Sequence, residues 1–576
     1  MPDVIGTDEI PGRTRLQLNT FAANVSTWFI AVSRALRYQP ENPTTLLPIS
    51  FMKKSFLSGI ALVLVGGLAA FRPQLIVPPI QSTASRHATS PKNIIYILAD
   101  DHRYDFMGFT GKVPGLKTPN LDRLASEGAH IPNAFVSTAL CSPSRASILT
   151  GQYAHTHKVV DNFAPLTPGL KFFPQYLQKA GYKTAFLGKW HMGNTDDDPQ
   201  PGFDYWLSFK GQGVYYNPTF NINGKQVIHK DSSYTSDLLT DYALKWLGTL
   251  DKTKPFCLYL SHKAVHADFQ PARRHRNVYK NMPIQYPETM YLTASDTSKV
   301  WGESTPGESK STPGPNLKVN MADMPNWVKQ QRYSWHGVDY LYHGTINFND
   351  FYRQYCETLL GVDDSVGRVL KWLEENGQLE NTMVVYMGDN GFSFGERGLI
   401  DKRHMYEESM RVPLLVRCPA VVKGGTKVQQ VIQNVDLAPT FLAYAGLPKP
   451  TQMQGNSFLP ILKGEKNGTP YRTWRDRAFY EYYWEADFPQ TPTMFGVRTS
   501  RYKYIFNHGV WDANELYDLQ NDPQEVNNLI RSKEHQEIAK DLRNQVFDWL
   551  ESTNGLQIPL HPIRQKRNDH RYKGNY

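Results

Sequence analysis

Asn93-Ile-Ile-Tyr-Ile-Leu98 places five apolar or aromatic side chains in a row, three of them β-branched. A run that is apolar at both odd and even positions suits a strand buried on both faces, as in a parallel sheet. It stops at Ala99-Asp100-Asp101-His102, so two carboxylates stand where such a strand would end. Similar strands are expected at Thr184–Leu187, Phe256–Ser261, Thr382–Met387 and Leu414–Arg417. Between them, helical spacing is found near Phe173–Ala180, Ser236–Leu250, Phe351–Asn376 and Asp436–Ala445. Another helix starts at Thr118-Pro-Asn-Leu, with Thr118 as cap and Pro119 in the first position. Strands alternating with helices predict an α/β fold, a mostly parallel sheet covered on both faces. No internal repeat is visible.

The pattern fails between Pro283 and Gly344, a stretch rich in Pro, Ser, Thr, Asn and Trp that reads as a long structureless insertion. After about Gly468 the character changes to meandering strands at Arg477–Trp484, Met494–Arg498 and Tyr502–Phe506. An amphipathic helix from about Ser532 to Ser552 comes next. We expect a catalytic domain over 93–467 and a smaller α+β subdomain over 468–576. The length of 576 residues is compatible with three or four domains at roughly 150 residues each, or with two unequal ones.

The N-terminus reads as an address. Met52-Lys-Lys is followed by seventeen uncharged residues from Ser55 to Phe71, the basic start and short apolar run of a secretory signal. The run is short for a membrane span, although an uncleaved anchor is the alternative. Residues 1–51 show no clear hydrophobic period, which points to Met52 as the true start and to a non-native or unstructured extension before it. The signal would cover 52–72 and a linker 73–92, polar from Gln81 to Lys92. A periplasmic or secreted protein without a stable membrane span is expected.

Composition narrows the classes further. Four cysteines are too few for a disulfide scaffold and match no zinc spacing. Cys257 and Cys418 lie in or just after apolar strand-like runs and Cys356 lies inside a helical pattern, so all three read as buried small hydrophobes. Of the net charge of +9, the tail from Arg564 to Tyr576 carries five basic residues and one acidic, which reads as a solvated end. No basic face with groove-reading elements appears, so no nucleic-acid partner is expected.

The chemistry gathers at strand ends, where open α/β sheets bind ligands. Asp100-Asp101 comes after one strand and Asp389-Asn390 after another. Adjacent acids repel unless a cation lies between them, and three carboxylates with an amide oxygen suit Ca²⁺ or Mg²⁺ rather than Zn²⁺. Taken singly, Asp100 could cap a helix and Asp389-Asn390-Gly391 could be a turn. The third element is Leu140-Cys-Ser-Pro-Ser-Arg-Ala-Ser-Ile-Leu-Thr-Gly151. Its spacing puts Cys141 at a helix N-terminus, an end that would stabilise a charged sulfur.

Cys141-x-Pro143-x-Arg145 followed by Leu149-Thr150-Gly151 resembles the motif of the type I sulfatases, in which the Cys is oxidised to formylglycine before export. The resemblance continues through Asp100-Asp101, Gly188-Lys189-Trp190-His191, Val265-His266, Gly388-Asp389-Asn390-Gly391 and Lys402, in the family's order. It covers about Asn93 to Gly464, and Glu515-Leu-Tyr-Asp-Leu519 with Asp522-Pro523 is similar to the family's closing segment. It implies an alkaline phosphatase-like fold, one Ca²⁺ held by Asp100, Asp101, Asp389, Asn390 and residue 141, and a maturation enzyme as partner. It further implies that the hydrated aldehyde at 141 is the nucleophile, that Arg145 and Lys189 hold charge beside it, and that His191 is the base. His266, with Lys402 beside the sulfate, would protonate the leaving oxygen.

The implied activity is sulfate ester hydrolysis on a sulfated polysaccharide, for its degradation. Ala99–Phe109 and Gly211–Pro218 resemble bacterial polysaccharide sulfatases, a group active on N-acetylglucosamine-6-sulfate in mucin or heparan sulfate, or on algal polymers such as ulvan. Trp301, Trp327, Tyr333 and Trp335 could stack on sugar or simply pack a loop. Two other classes stay open: a phosphatase or phosphonate hydrolase of the alkaline phosphatase-like superfamily, and a non-catalytic sugar-binding paralogue.

Overall fold

The computed structural model describes residues 92–193, 196–290, 322–342, 346–465, 473–509 and 512–559. The expected extension, signal, most of the linker, Trp301 and the basic tail lie outside them. Among the described residues no helix is long and apolar enough to cross a membrane.

A ten-stranded sheet organises the molecule, in the order Thr426–Lys427, Ala129–His130, Leu414–Arg417, Thr382–Gly388, Asn93–Ala99, Phe256–Ser261, Lys183–Lys189, Tyr205–Phe209, Thr219–Ile222 and Lys225–Ile228. The five strands from Thr382–Gly388 to Tyr205–Phe209 run parallel. Leu414–Arg417 runs antiparallel to Thr382–Gly388, and an antiparallel hairpin over Thr219–Ile228 extends the other side. The sheet is therefore mostly parallel at its centre and mixed at its margins. Large α/β sheets commonly accept such antiparallel strands at their edges.

The central strand explains why both faces are covered. Ile94, Tyr96 and Leu98 enter one core with Ile148, Phe173 and Leu437. Ile95, Ile97 and Ala99 enter the other with Leu121, Leu239 and Leu359. Each fully buried Ile contributes about 1.5–3 kcal/mol of hydrophobic stabilisation, and the two-sided burial pins the strand whose end carries Asp100. A separate antiparallel sheet, Ala478–Tyr482, Thr493–Arg498, Tyr502–His508 and Glu515–Asp518, forms the C-terminal subdomain with the helix Gln536–Ser552.

Several local expectations are corrected. Thr118 occupies the cap position of the helix Pro119–Glu127, but its hydroxyl makes no cap bond. It donates to Asp122 Oδ1 instead, at 2.9 Å. The free N–H groups of Asn120 and Leu121 donate to the Asp363 carboxylate, so a distant acid satisfies the helix end. The long helix spans Phe348–Glu375, earlier than expected, because Asn347 caps it by accepting from the Asp350 N–H. The described residues of the expected structureless insertion include two short helices, Asn326–Gln331 and Val338–Leu341. Trp327 there is buried and stacks on Tyr406, so it packs the core rather than offering a sugar platform.

Two buried histidines, His157 and His262, contribute to an acid limit on the fold. Burial pushes His157 down to about 3 and His262 down to about 4. An unfolded histidine titrates near 6.5, so between pH 6.5 and about 4 the unfolded chain binds protons that the folded one refuses. Their stability contribution is thus complete above pH 6.5 and declines as the pH falls, by up to about 3 kcal/mol per pH unit for the pair. Thermal unfolding from pH 7.5 to 4.5 should show a falling midpoint. His262→Gln should flatten that fall, and an equally steep curve would show that His262 is not a source of it.

Candidate active site

Four neighbouring parallel strands end on one edge of the sheet and deliver the polar residues there. Asn93–Ala99 leads into Asp100-Asp101, Thr382–Gly388 into Asp389-Asn390, Lys183–Lys189 ends in Lys189, and Phe256–Ser261 leads toward His266. Gly188 is required where it stands: its φ is +123°, and a Cβ would lie 1.7 Å from the Ser261 carbonyl oxygen. That close approach seats Lys189 beside its neighbouring strand. The helix Cys141–Thr150 points its N-terminus at the same place, and every residue in it is buried. Gly151 ends this helix in the left-handed conformation at φ +67°.

Asp100, Asp101 and Asp389 are fully buried, with carboxylate oxygens within 4.8 Å of one another. Three basic side chains answer them. Arg145 donates from Nε to Asp389 Oδ2 at 2.9 Å, and its Nη1 donates to both the Lys189 carbonyl at 2.7 Å and Ser261 Oγ at 2.6 Å. Lys189 pairs with Asp100 and Gln212. Lys402 donates to both oxygens of Asp101 at 2.7 Å and lies 3.2 Å from Asp401. Asn390 Nδ2 donates to Asp101 Oδ1 at 2.7 Å, whereas its own Oδ1 is buried without a hydrogen-bond partner.

These arrangements titrate unequally. Burial alone would raise Asp100, but Lys189 and Arg145 outweigh it and hold the carboxyl well below the usual range. Asp101 is pushed up to about 7 by burial, with Asp100 and Asp389 acting against Lys402. A buried acid so raised, and an orphaned amide oxygen beside it, describe a site short of positive charge. Three carboxylates and one amide oxygen fit a hard, oxygen-preferring dication. Asp100, Cys141 and His266 form a second close group, but a thiolate ligand there would have to ionise against burial.

Cys141 itself departs from expectation. Its thiol is completely buried and lies 3.4 Å from Asp100 Oδ1, to which it donates. Burial, reinforced by the Asp100 charge, pushes it well above the ordinary cysteine range. The helix N-terminus does not make a thiolate here; desolvation and a neighbouring anion prevail over the half-charge of the helix end.

Both histidines of the motif reach the site. His266 Nδ1 is 2.6 Å from the Ala267 carbonyl, which can only accept, so the hydrogen sits on Nδ1 and Nε2 is left facing Asp101 Oδ2 at 3.8 Å. Burial and the charges of Lys402 and Lys189 push its pKa well below 6.5. His191 is likewise lowered, by burial and then Lys189, and its Nδ1 has no hydrogen-bond partner. Asp101 and His191 adopt left-handed φ of 54° and 58°, a strain of about 1–3 kcal/mol each that the packed surroundings must hold. Sequence reasoning missed Gln212, Ser261, Tyr215 and Lys263. Tyr215 donates to the His266 carbonyl, and Lys263 lies 4.6 Å from the centre of the Tyr215 ring. Ser261 was discoverable as the last residue of a parallel strand; Gln212 and Tyr215 lie in a segment that carried a resemblance but no assigned role.

The sulfatase family model matches residues 92–447, and that of the N-sulphoglucosamine sulphohydrolase C-terminal region matches 395–552. The N-acetylglucosamine-6-O-sulfatase of Bacteroides thetaiotaomicron is 35% identical over 489 residues, 79% of this chain and 86% of that protein. The human N-acetylglucosamine-6-sulfatase is 32% identical, with 70% of each chain covered. A structure of BT4656, solved in complex with its substrate D-glucosamine-2-N,6-O-disulfate, superposes with a TM-score of 0.68 at 32% identity, over 82% of this chain and all of the other. The phosphonate monoester hydrolase of Agrobacterium radiobacter shares the fold at a TM-score of 0.60 and 20% identity, over 80% of this chain and 96% of the other.

Proposed function

We propose that this chain, which belongs to the sulfatase family and is a sulfuric ester hydrolase, removes the 6-O-sulfate of glucosamine residues in a sulfated polysaccharide. The observation that carries this reading is the meeting of residue 141 with Asp100, Arg145, Lys189 and the oxygen cluster at one sheet edge. The glucosamine preference is supported by the names and substrate of the relatives above. Export for polysaccharide degradation rests on the pattern from Met52 to Phe71.

Residue 141 is read as the site of formylglycine, whose hydrate supplies an oxygen nucleophile that the buried thiol does not. Asp100, Asp101, Asp389 and Asn390 would hold Ca²⁺, whose chemistry is to polarise that nucleophile and neutralise sulfate oxygens. The chain's own side chains do the rest. Arg145 is clamped by Asp389, Ser261 and the Lys189 carbonyl, so it orients the carboxylate cluster rather than wandering. Lys189 and Lys402 present fixed charges to the ester's oxygens. His191, neutral because burial and Lys189 disfavour its cation, is suited to accept a proton at residue 141. His266 is neutral for the same kind of reason. A sulfate anion lying against Lys402 and Lys189 would cancel the charges that oppose its protonation, so bound substrate itself would arm Nε2 as the acid for the leaving oxygen.

That assignment separates the two histidines. An alkoxide leaving from a sugar needs a proton, whereas a nitrophenolate needs little help. His266→Ala should therefore lower turnover of glucosamine-6-sulfate by about 10²-fold or more, and of nitrophenyl sulfate far less. His191→Ala should impair both. Equal losses on the two substrates in the His266 variant would overturn its role. The function itself is tested by sulfate release from 6-sulfated glucosamine, heparan, mucin and ulvan oligosaccharides in parallel. Release from ulvan alone would overturn the glucosamine reading, and faster phosphate than sulfate release from one aryl ester would point to a phosphohydrolase.

A further inference from the structure

A pocket of about 560 Å³ opens between the loop that continues from Asp101, the helix Pro119–Glu127 and the short strands at the sheet margin. Tyr104, Phe109, Lys112, His130, Arg411 and Lys427 line it. Of its two acids, Asp105 pairs with Arg103 at 2.8 Å, whereas Asp122 accepts from the Phe109 N–H and the Thr118 hydroxyl and keeps its charge. Lys112 and Lys427 are exposed, and among the described residues neither forms an ion pair. Arg411 is fixed by donating to the Pro132 carbonyl at 2.7 Å, by an ion pair at 3.4 Å with Glu407, a carboxylate it shares with Arg498 and Lys503, and by lying 4.5 Å from the Tyr104 ring centre. The Phe109 and His130 rings stand perpendicular with centres 4.9 Å apart, and Phe109 leaves 37% of its surface in solvent.

The lining therefore combines an open aromatic face, two unpaired lysines and a guanidinium held in place. His130 is neutral, because burial, then Lys427 and Arg411, push it down to about 4, so the positive charge here comes from the lysines and Arg411. Such a pocket attracts an anion and offers an apolar ring surface to whatever carries it. The strand Ala129–His130 lies three positions from Asn93–Ala99 in the sheet, or about 14 Å at ~4.8 Å per strand. Tyr104 is only three residues beyond Asp101. An oligosaccharide of a few sugars spans that separation.

We propose that this pocket is a second binding site for an anionic sugar residue, sulfated or carboxylated, of the same chain whose reacting sulfate lies at residue 141. This rests on the sulfated-carbohydrate reading above and adds the prediction that longer substrates are held at two points. Phe109 presents its exposed ring to the sugar, while Lys112, Arg411 and Lys427 receive its charge.

The test uses the Cys141→Ala protein, which binds without turnover, and a heparin-derived tetrasaccharide in calorimetry. Lys112→Ala/Lys427→Ala in that background should weaken binding about tenfold and reduce its dependence on salt. Phe109→Ala should weaken it independently of salt. The desulfated tetrasaccharide, which keeps its carboxylates, tells which anion is read: sensitivity to the lysine pair only with the sulfated form assigns sulfate, and with both forms carboxylate. With Cys141 restored, the lysine variant should hydrolyse glucosamine-6-sulfate monosaccharide with unchanged kcat/KM. Equal affinity of variant and parent for the tetrasaccharide, or an equal loss on the monosaccharide, would overturn the proposal. Absence of sulfate release by the parent would remove the function proposed above, yet leave the binding comparison readable.

Discussion

Cys141→Ala should reduce sulfate release by at least about 10⁴-fold while leaving the thermal midpoint within a few degrees of the parent. The reason lies in what surrounds the side chain. Its Sγ makes one polar contact, to Asp100, and the helix it begins is held by packing on all sides rather than by that atom. Loss of one small buried atom costs about 1 kcal/mol, so fold and activity should separate cleanly. In the active parent, the tryptic peptide containing residue 141 should carry an aldehyde in place of the thiol. Full activity in the Ala variant, or an active parent whose peptide retains the thiol, would refute the nucleophile assigned here.

The second large effect should come from the oxygen cluster. Thorough chelation should stop turnover in the parent, and added calcium should restore it. Asp389→Ala should lower turnover at least about 10²-fold, but this change also strands the buried Arg145. Asp389→Asn keeps an oxygen for that guanidinium and removes only charge, which makes it the cleaner variant. A readout independent of activity comes from linkage: a ligand at a hundred times its Kd stabilises the folded state by about 2.7 kcal/mol. Calcium should raise the melting midpoint of the parent and leave that of Asp389→Asn nearly unchanged. A midpoint and a rate both indifferent to chelation would dismiss the assignment of Asp100, Asp101, Asp389 and Asn390.

How much of this was legible from residues alone depends on the range of each interaction. Asp100-Asp101 and Asp389-Asn390 announce themselves because a two-faced apolar run marks a central strand, and the residues just past the end of such a strand stand at the ligand-binding edge. The convergence of these pairs on Cys141 and Arg145 is a tertiary fact that motif order anticipated. Direction was not readable in the same way: Leu414–Arg417 has the composition of its parallel neighbours, and four residues carry no mark of which way they run. Thr118 shows the limit of local rules, since the helix it precedes is capped by Asp363 from a distant turn of another helix. The thiol of Cys141 shows it again. A helix N-terminus can be counted along a sequence, but the depth of burial and the Asp100 charge that overrule it cannot. The helices Asn326–Gln331 and Val338–Leu341 were missed because each is too short to display a period.

The complete enclosure of residue 141 also dictates a schedule. With no accessible surface at Cys141 in the folded chain, another protein has no route to its sulfur without pulling the helix Cys141–Thr150 out of the core around it. Any enzyme that oxidises this cysteine must meet the segment Leu140–Gly151 while it is still extended, during synthesis or translocation. Yield of active protein would then depend on the relative speeds of oxidation and folding, and slowing the chain's closure should raise it. Treating the purified, folded thiol form with the same enzyme should leave it inert.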